Sequence, residues 1–160
     1  MTLVRIGMTM LLLCTAAALA DAPPARPLVT TKPVKVTAAD AVGPVFAGKN
    51  AVKENGPDGA ATDVLLLRSK DRKVEMGLFD AGPSEQDIEA YEDDEFMFFL
   101  AGSVTLTSAD GTVLQAQAGE GVAMPRGWKG HWSTKGYKKY YVVYTGGAKK
   151  SGAKEPAAAP

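Results

Sequence analysis

His131 is the single histidine of the 160-residue chain. Its unperturbed pKa of about 6.5 makes it the default choice for acid–base work or for metal ligation by nitrogen. A second chemical centre lies upstream, where five carboxylates, Glu89, Glu92, Asp93, Asp94 and Glu95, run together with Tyr91 among them. Two or three of them could gather a hard cation such as Mn, Mg or Ca, which accept oxygen ligands. The plainer reading of such a charge run is a solvated acidic loop leading into a strand. Glu95 stands apart from the others, because in Glu95-Phe96-Met97-Phe98-Phe99-Leu100 alternation puts Glu95, Met97 and Phe99 on one face. A carboxylate among large apolar side chains has a raised pKa and can serve as acid, base or metal ligand. Tyr91, four residues earlier, can share that site.

Further along, Trp128, Trp132, Tyr140, Tyr141 and Tyr144 offer flat apolar surface with polar tips, the usual lining of a small-molecule pocket. Arg126 and Lys129 flank the turn Pro125-Arg126-Gly127 and could meet an anionic group. Candidate roles follow. Glu95 and Tyr91 are the candidate catalytic pair, and Met97, Phe99, Arg126, Trp128, His131, Trp132 and Tyr140 are candidate ligand contacts. Glu95 and His131 are the residues that would hold a metal, if one is held.

Several classes of chemistry drop out. Lys plus Arg equals Asp plus Glu at 18 each, so no global field draws the chain to nucleic acid or to an anionic membrane. Lys138 and Lys139, with the C-terminal lysines, read as a mild basic patch too small for nucleic-acid binding. The first twenty residues read as a secretory signal: Arg5 supplies a basic start, an apolar core follows from Met8, and Ala18-Leu19-Ala20 is a small-x-small cleavage site. Cleavage after Ala20 is expected, with the mature protein periplasmic or secreted and not held at the membrane. The one cysteine, Cys14, leaves with the signal, and disulfides, thiolate nucleophiles and Cys-ligated metals leave with it.

The elements that must position the candidates are strands. Residues 21–33 are rich in Pro and Ala and read as an extended arm. Residues 146–160 have too little apolar surface to order and read as a disordered tail. Between them, residues 34–145 alternate β-prone runs with turn residues about every ten positions, the pattern of a sandwich or barrel. Strands are predicted over Asp63–Arg68 and Lys73–Phe79, which form a hairpin, then over Glu95–Leu100, Ser103–Thr107 and Thr112–Gln117. Val122–Pro125, Trp128–Ser133 and Lys138–Tyr144 complete the set, and no helical period competes with them. The chain is therefore expected to be all-β. Phe96, Phe98 and Leu100 on the second face of their strand require cover from another sheet, from the arm or from a second subunit. A homodimer and an intrachain cover are both open at this point.

The run Glu95 to Gly102, followed by Asp110-Gly111, Gly119-Glu120-Gly121, Pro125-Arg126-Gly127 and Trp132, resembles the cupin superfamily. It is most similar to the small-cupin group that includes ureidoglycine aminohydrolase and the cupin protein of ethanolamine utilisation. The resemblance covers roughly Lys73 to Tyr144 and implies one double-stranded β-helix, a jelly-roll barrel. In metal-binding cupins the first motif supplies two histidines and a glutamate and the second a third histidine. Of these only Glu95 is matched; Gly130 stands where the last histidine is expected, and His131 falls one residue late. A one-residue slip turns a strand side chain to the opposite face, so His131 is expected to point away from the interior. The resemblance thus implies a barrel that binds a small polar molecule in its mouth without the three-His site. The alternative is an aminohydrolase-like or isomerase-type enzyme using Glu95 with an oxygen-ligated metal. No metal is the simpler expectation, with Mn, Fe, Zn or Ni as the alternatives.

Overall fold

In the computed structural model, residues 32–56 and 59–146 are described. The expected signal segment, nearly all of the Pro/Ala-rich arm and nearly all of the C-terminal tail lie outside them. Eight strands form one antiparallel sheet: β1 (Ala51–Gly56), β2 (Gly59–Arg68), β3 (Val74–Ala81), β4 (Ser84–Ile88), β5 (Asp94–Ser108), β6 (Val113–Gln117), β7 (Gly121–Met124) and β8 (Gly130–Tyr144). Their order is β1-β2-β3-β8-β5-β6, with β4 also paired to β8 and β7 to β5. Two 15-residue strands, β5 and β8, therefore form the spine.

The inner face follows the alternation seen in the sequence. Glu95, Met97 and Phe99 are buried, and Met97 and Phe99 join Val104, Leu106, Val122, Met124, Trp132 and Tyr137 in the main core. Burying a side chain of this size contributes about 1.5–3 kcal/mol, which ties the register of β5 to this face.

Strand count and continuity differ from expectation. Glu95–Leu100 and Ser103–Thr107 belong to one strand, as do Trp128–Ser133, from Gly130 onward, and Lys138–Tyr144. The apparent breaks are bulges. Pairing of β5 with β8 slips between Phe99 and Ala101 and again between Gly102 and Val104. Inward residues accordingly change parity, from Phe99 to Val104 on β5 and from Thr134 to Tyr137 on β8. Gly102 (φ +73°) and Gly136 (φ +121°) sit at the crossing. An added Cβ on Gly102 would lie 2.0 Å from the Gly136 carbonyl oxygen, so only glycine lets the two backbones come this close.

β1 and β4 were not anticipated, being short and polar, and neither were two helical turns, α1 (Ala38–Ala41) and η1 (Pro44–Ala47). Four residues cannot display a helical period. Thr37 caps α1, its Oγ1 accepting from Asp40 N at 3.2 Å. These turns lay Ala41 and Phe46 on the outside of the sheet against Val64 and Leu78, with Leu100 and Tyr140 beside them. Leu100 thus finds its cover within the chain, from residues after the Pro/Ala-rich stretch. Phe96 and Phe98 do not, and stay 50% and 39% exposed. Phe96 lies in a row of directly opposed outward residues, Leu67, Met76, Val142, Phe96 and Ala123, that crosses five strands.

Candidate functional site

Residues of β1, β2, β3, β4, β5 and β8, with the segment leading into β5, line an open cavity of about 630 Å³. At its inner wall the Lys139 Nζ donates to Glu95 Oε1 at 2.7 Å. The two side chains are only 7% and 6% exposed. Three rings surround the ammonium, with centroids at 5.6 Å (Phe79), 5.7 Å (Tyr137) and 5.8 Å (Trp132), a distance at which ring quadrupoles attract a cation. The Tyr91 hydroxyl donates to the other oxygen, Glu95 Oε2. Both oxygens of the carboxylate are thereby engaged.

Tyr91 is held from two directions. Its ring stacks on Trp132, with centroids 6.4 Å apart and planes 8° from parallel. Its main chain is tied to the Pro125–Trp128 turn, Tyr91 N donating to Trp128 O and Gly127 N to Tyr91 O, both at 2.8 Å. Arg126 reinforces that tie: Nε donates to Glu92 O at 2.6 Å and Nη2 to Asp93 Oδ1 at 2.9 Å, while its backbone N donates to Asp94 Oδ1 at 2.9 Å. Arg126 is therefore a staple on the loop and does not line the cavity. Burial, and then the Glu95 charge, pushes both the Tyr91 and the Tyr137 phenols well above their ordinary value. Neither ionises near neutral pH, so each is a hydrogen-bond group and not a ready base.

Of the residues singled out from the sequence, Glu95, Tyr91, Trp132 and Tyr141 meet at the cavity, and Glu92 and Asp93 line it too. Met97 and Phe99 are fully buried in the core and do not line it. Trp128 lies over Gly130, its Nε1 donating to Ser108 Oγ at 3.1 Å, and Tyr140 packs outside with the second cluster. His131 is on the outer surface, where Nδ1 is 2.7 Å from Asp87 Oδ1 and Nε2 is 2.7 Å from Glu85 Oε2.

That outer arrangement carries its own pH dependence. Asp87 first, and then Glu85, raise the His131 pKa above its ordinary 6.5. Its stabilising share is fully present below that value and is lost as pH rises through the folded-state value. Ser133 first, and then His131, lower the Glu85 pKa below 4.5, so that share is lost on acidification. Wild type is expected to melt above His131→Gln at about pH 5.5, with the difference shrinking by about pH 9. A difference independent of pH would contradict this.

Lys139, Tyr137 and Phe79 were missed. Lys139 read as part of a basic patch with Lys138; only Lys138 is outside, bonded to Asp80 and lying over Phe46. Counting parity from Trp132, Lys139 falls with His131 on the outer face. The bulge at Lys135-Gly136 reverses it, and the glycines at 102 and 136 were the available signal.

Residues 68–141 match the family model of the EutQ-like cupin domain. That match supports a small cupin of the EutQ-like group. A DUF861-family protein of unknown function from Pseudomonas syringae pv. tomato superposes with a TM-score of 0.54 at 20% identity, over 58% of this chain and 43% of that one. Ethanolamine utilization protein Q of Salmonella typhimurium gives 0.46 at 15% identity, over 59% of this chain and 94% of that one. Clostridium difficile EutQ gives 0.45 at 19% identity, over 69% and 80% respectively. The Pseudomonas likeness supports the jelly-roll fold. No curated protein matches the chain.

The metal that the cupin resemblance implies does not fit these residues. Glu95 is the one motif ligand kept, and an ammonium and a phenol already take its oxygens. His131 opens on the other side of the sheet, held by Asp87 and Glu85. Among the described residues no cluster of three His, Cys, Asp or Glu side chains is placed to hold a metal ion.

Proposed function

We propose that this cupin is an exported protein that binds a small polar molecule in its barrel cavity, without a three-His metal site. The observation that carries the reading is the buried Glu95–Lys139 pair, opening onto a cavity walled by Tyr91, Trp132, Tyr137 and Phe79. Apolar walls with a few fixed polar groups are what small-molecule sites are made of. Binding is favoured over the aminohydrolase or isomerase alternative because Glu95, the candidate base, is neutralised by Lys139 and capped by Tyr91. Export rests on the first twenty residues, with cleavage after Ala20.

The outer row adds a partner to this reading. Leu67, Met76, Val142 and Phe96 are 42%, 39%, 37% and 50% exposed, and an apolar strip of this extent calls for cover. A second copy supplies it, because a two-fold contact lays the same strip upon itself. The mature chain, purified from the exported fraction, tests both parts. A rise in melting temperature with some member of a polar-metabolite library is expected, together with a dimer by light scattering that Phe96→Lys converts to monomer. No rise across the library defeats the binding reading, and a wild-type monomer defeats the dimer.

A further inference from the structure

We infer that Lys139 is the barrel's resident cation, and that it holds an acceptor oxygen of the bound molecule. The inference rests on the binding reading and names the ligand's class. An ammonium has three N–H donors, yet among the described residues Lys139 donates a single hydrogen bond, to Glu95. The faces of Phe79, Tyr137 and Trp132 attract its charge but do not replace those bonds. Two donors on a largely desolvated ammonium that lines the cavity are therefore available to a ligand.

A second donor lines the same cavity, on a ring whose centroid is 5.7 Å from the ammonium. The Tyr137 hydroxyl has no hydrogen-bond partner among the described residues, and its ring is also part of the cavity wall. A divalent ion at Glu95 would have to displace the ammonium or sit against a like charge. A carbonyl or carboxylate oxygen instead completes what Lys139 and Tyr137 lack. Glu54, Glu75, Glu92 and Asp93 also line the cavity; Glu75 is paired with Arg68 and Asp93 with Arg126, and the carboxylates outnumber these two cations, which disfavours a molecule that is anionic throughout. The ligand class is a small molecule with an acceptor oxygen at its inner end and a neutral or cationic group at its outer end, the simplest being an amino-carboxylate.

Glycine and methylammonium are matched probes, sharing the ammonium and differing in the carboxylate. Titrated into the full mature chain, glycine is expected to shift the Trp132 indole N–H resonance, and methylammonium is not. The double variant Glu95→Gln/Lys139→Met, which removes both charges together, should weaken glycine at least tenfold. Tyr137→Phe, which touches neither charge, should weaken it severalfold and serves if the double variant does not fold. No glycine response in wild type, an equal response to methylammonium, unchanged affinity in the variants, or stoichiometric Mn retained after dialysis would each overturn the inference. A library ligand that binds the double variant as well as wild type would overturn it while leaving the binding reading intact.

Discussion

Lys139→Met alone is expected to destabilise the protein by about 3–5 kcal/mol, because it leaves the Glu95 carboxylate buried without its counter-charge. Glu95→Gln alone should cost a comparable amount for the opposite reason, stranding an ammonium among three rings. The double variant should recover most of either loss, since replacing a buried pair by neutral groups of similar volume is often close to neutral. The geometry behind this is specific: one 2.7 Å contact between side chains 7% and 6% exposed. Denaturant unfolding of the four proteins measures the coupling directly. Additive effects of the two single substitutions would show that the pair does not act as a unit.

Gly102→Ala is the second large effect, expected at about 3–5 kcal/mol and arising wholly from the backbone. The new Cβ would meet Gly136 O at 2.0 Å and Tyr137 Cα at 2.8 Å, at a φ of +73°. Gly111→Ala is the matched control, having a φ of +86° but nothing within 4 Å of its Cβ position. It should cost only the left-handed strain, about 1–2 kcal/mol. Equal losses at the two positions, read from chemical denaturation, would mean that the close crossing of β5 and β8 is not what demands glycine. A larger loss at Gly102 should be accompanied by weaker ligand binding, because Lys139 lies just past the crossing on β8.

The all-β class, the inward face Glu95-Met97-Phe99 and the cupin motif spacing were legible because each depends on alternation and turn residues within a few positions. So was the outward slip of His131, which needs only parity within one stretch. Trp132 and Tyr91 were found as chemically capable residues, while Arg126, Trp128 and Tyr140 looked equally capable and proved to serve the loop and the outer packing. Composition does not distinguish a lining residue from a packing one.

By itself the sequence determined which residues could do chemistry and that strands must carry them, since periodicity and turn chemistry are local properties of the chain. Only the tertiary structure decided which of them meet. Lys139 lies 44 residues from Glu95, and its face depends on a bulge that reverses the parity of β8 where Gly102 and Gly136 cross. A buried ammonium cannot be told from a solvated one until the register across that crossing is known, because a single extra residue exchanges inside for outside.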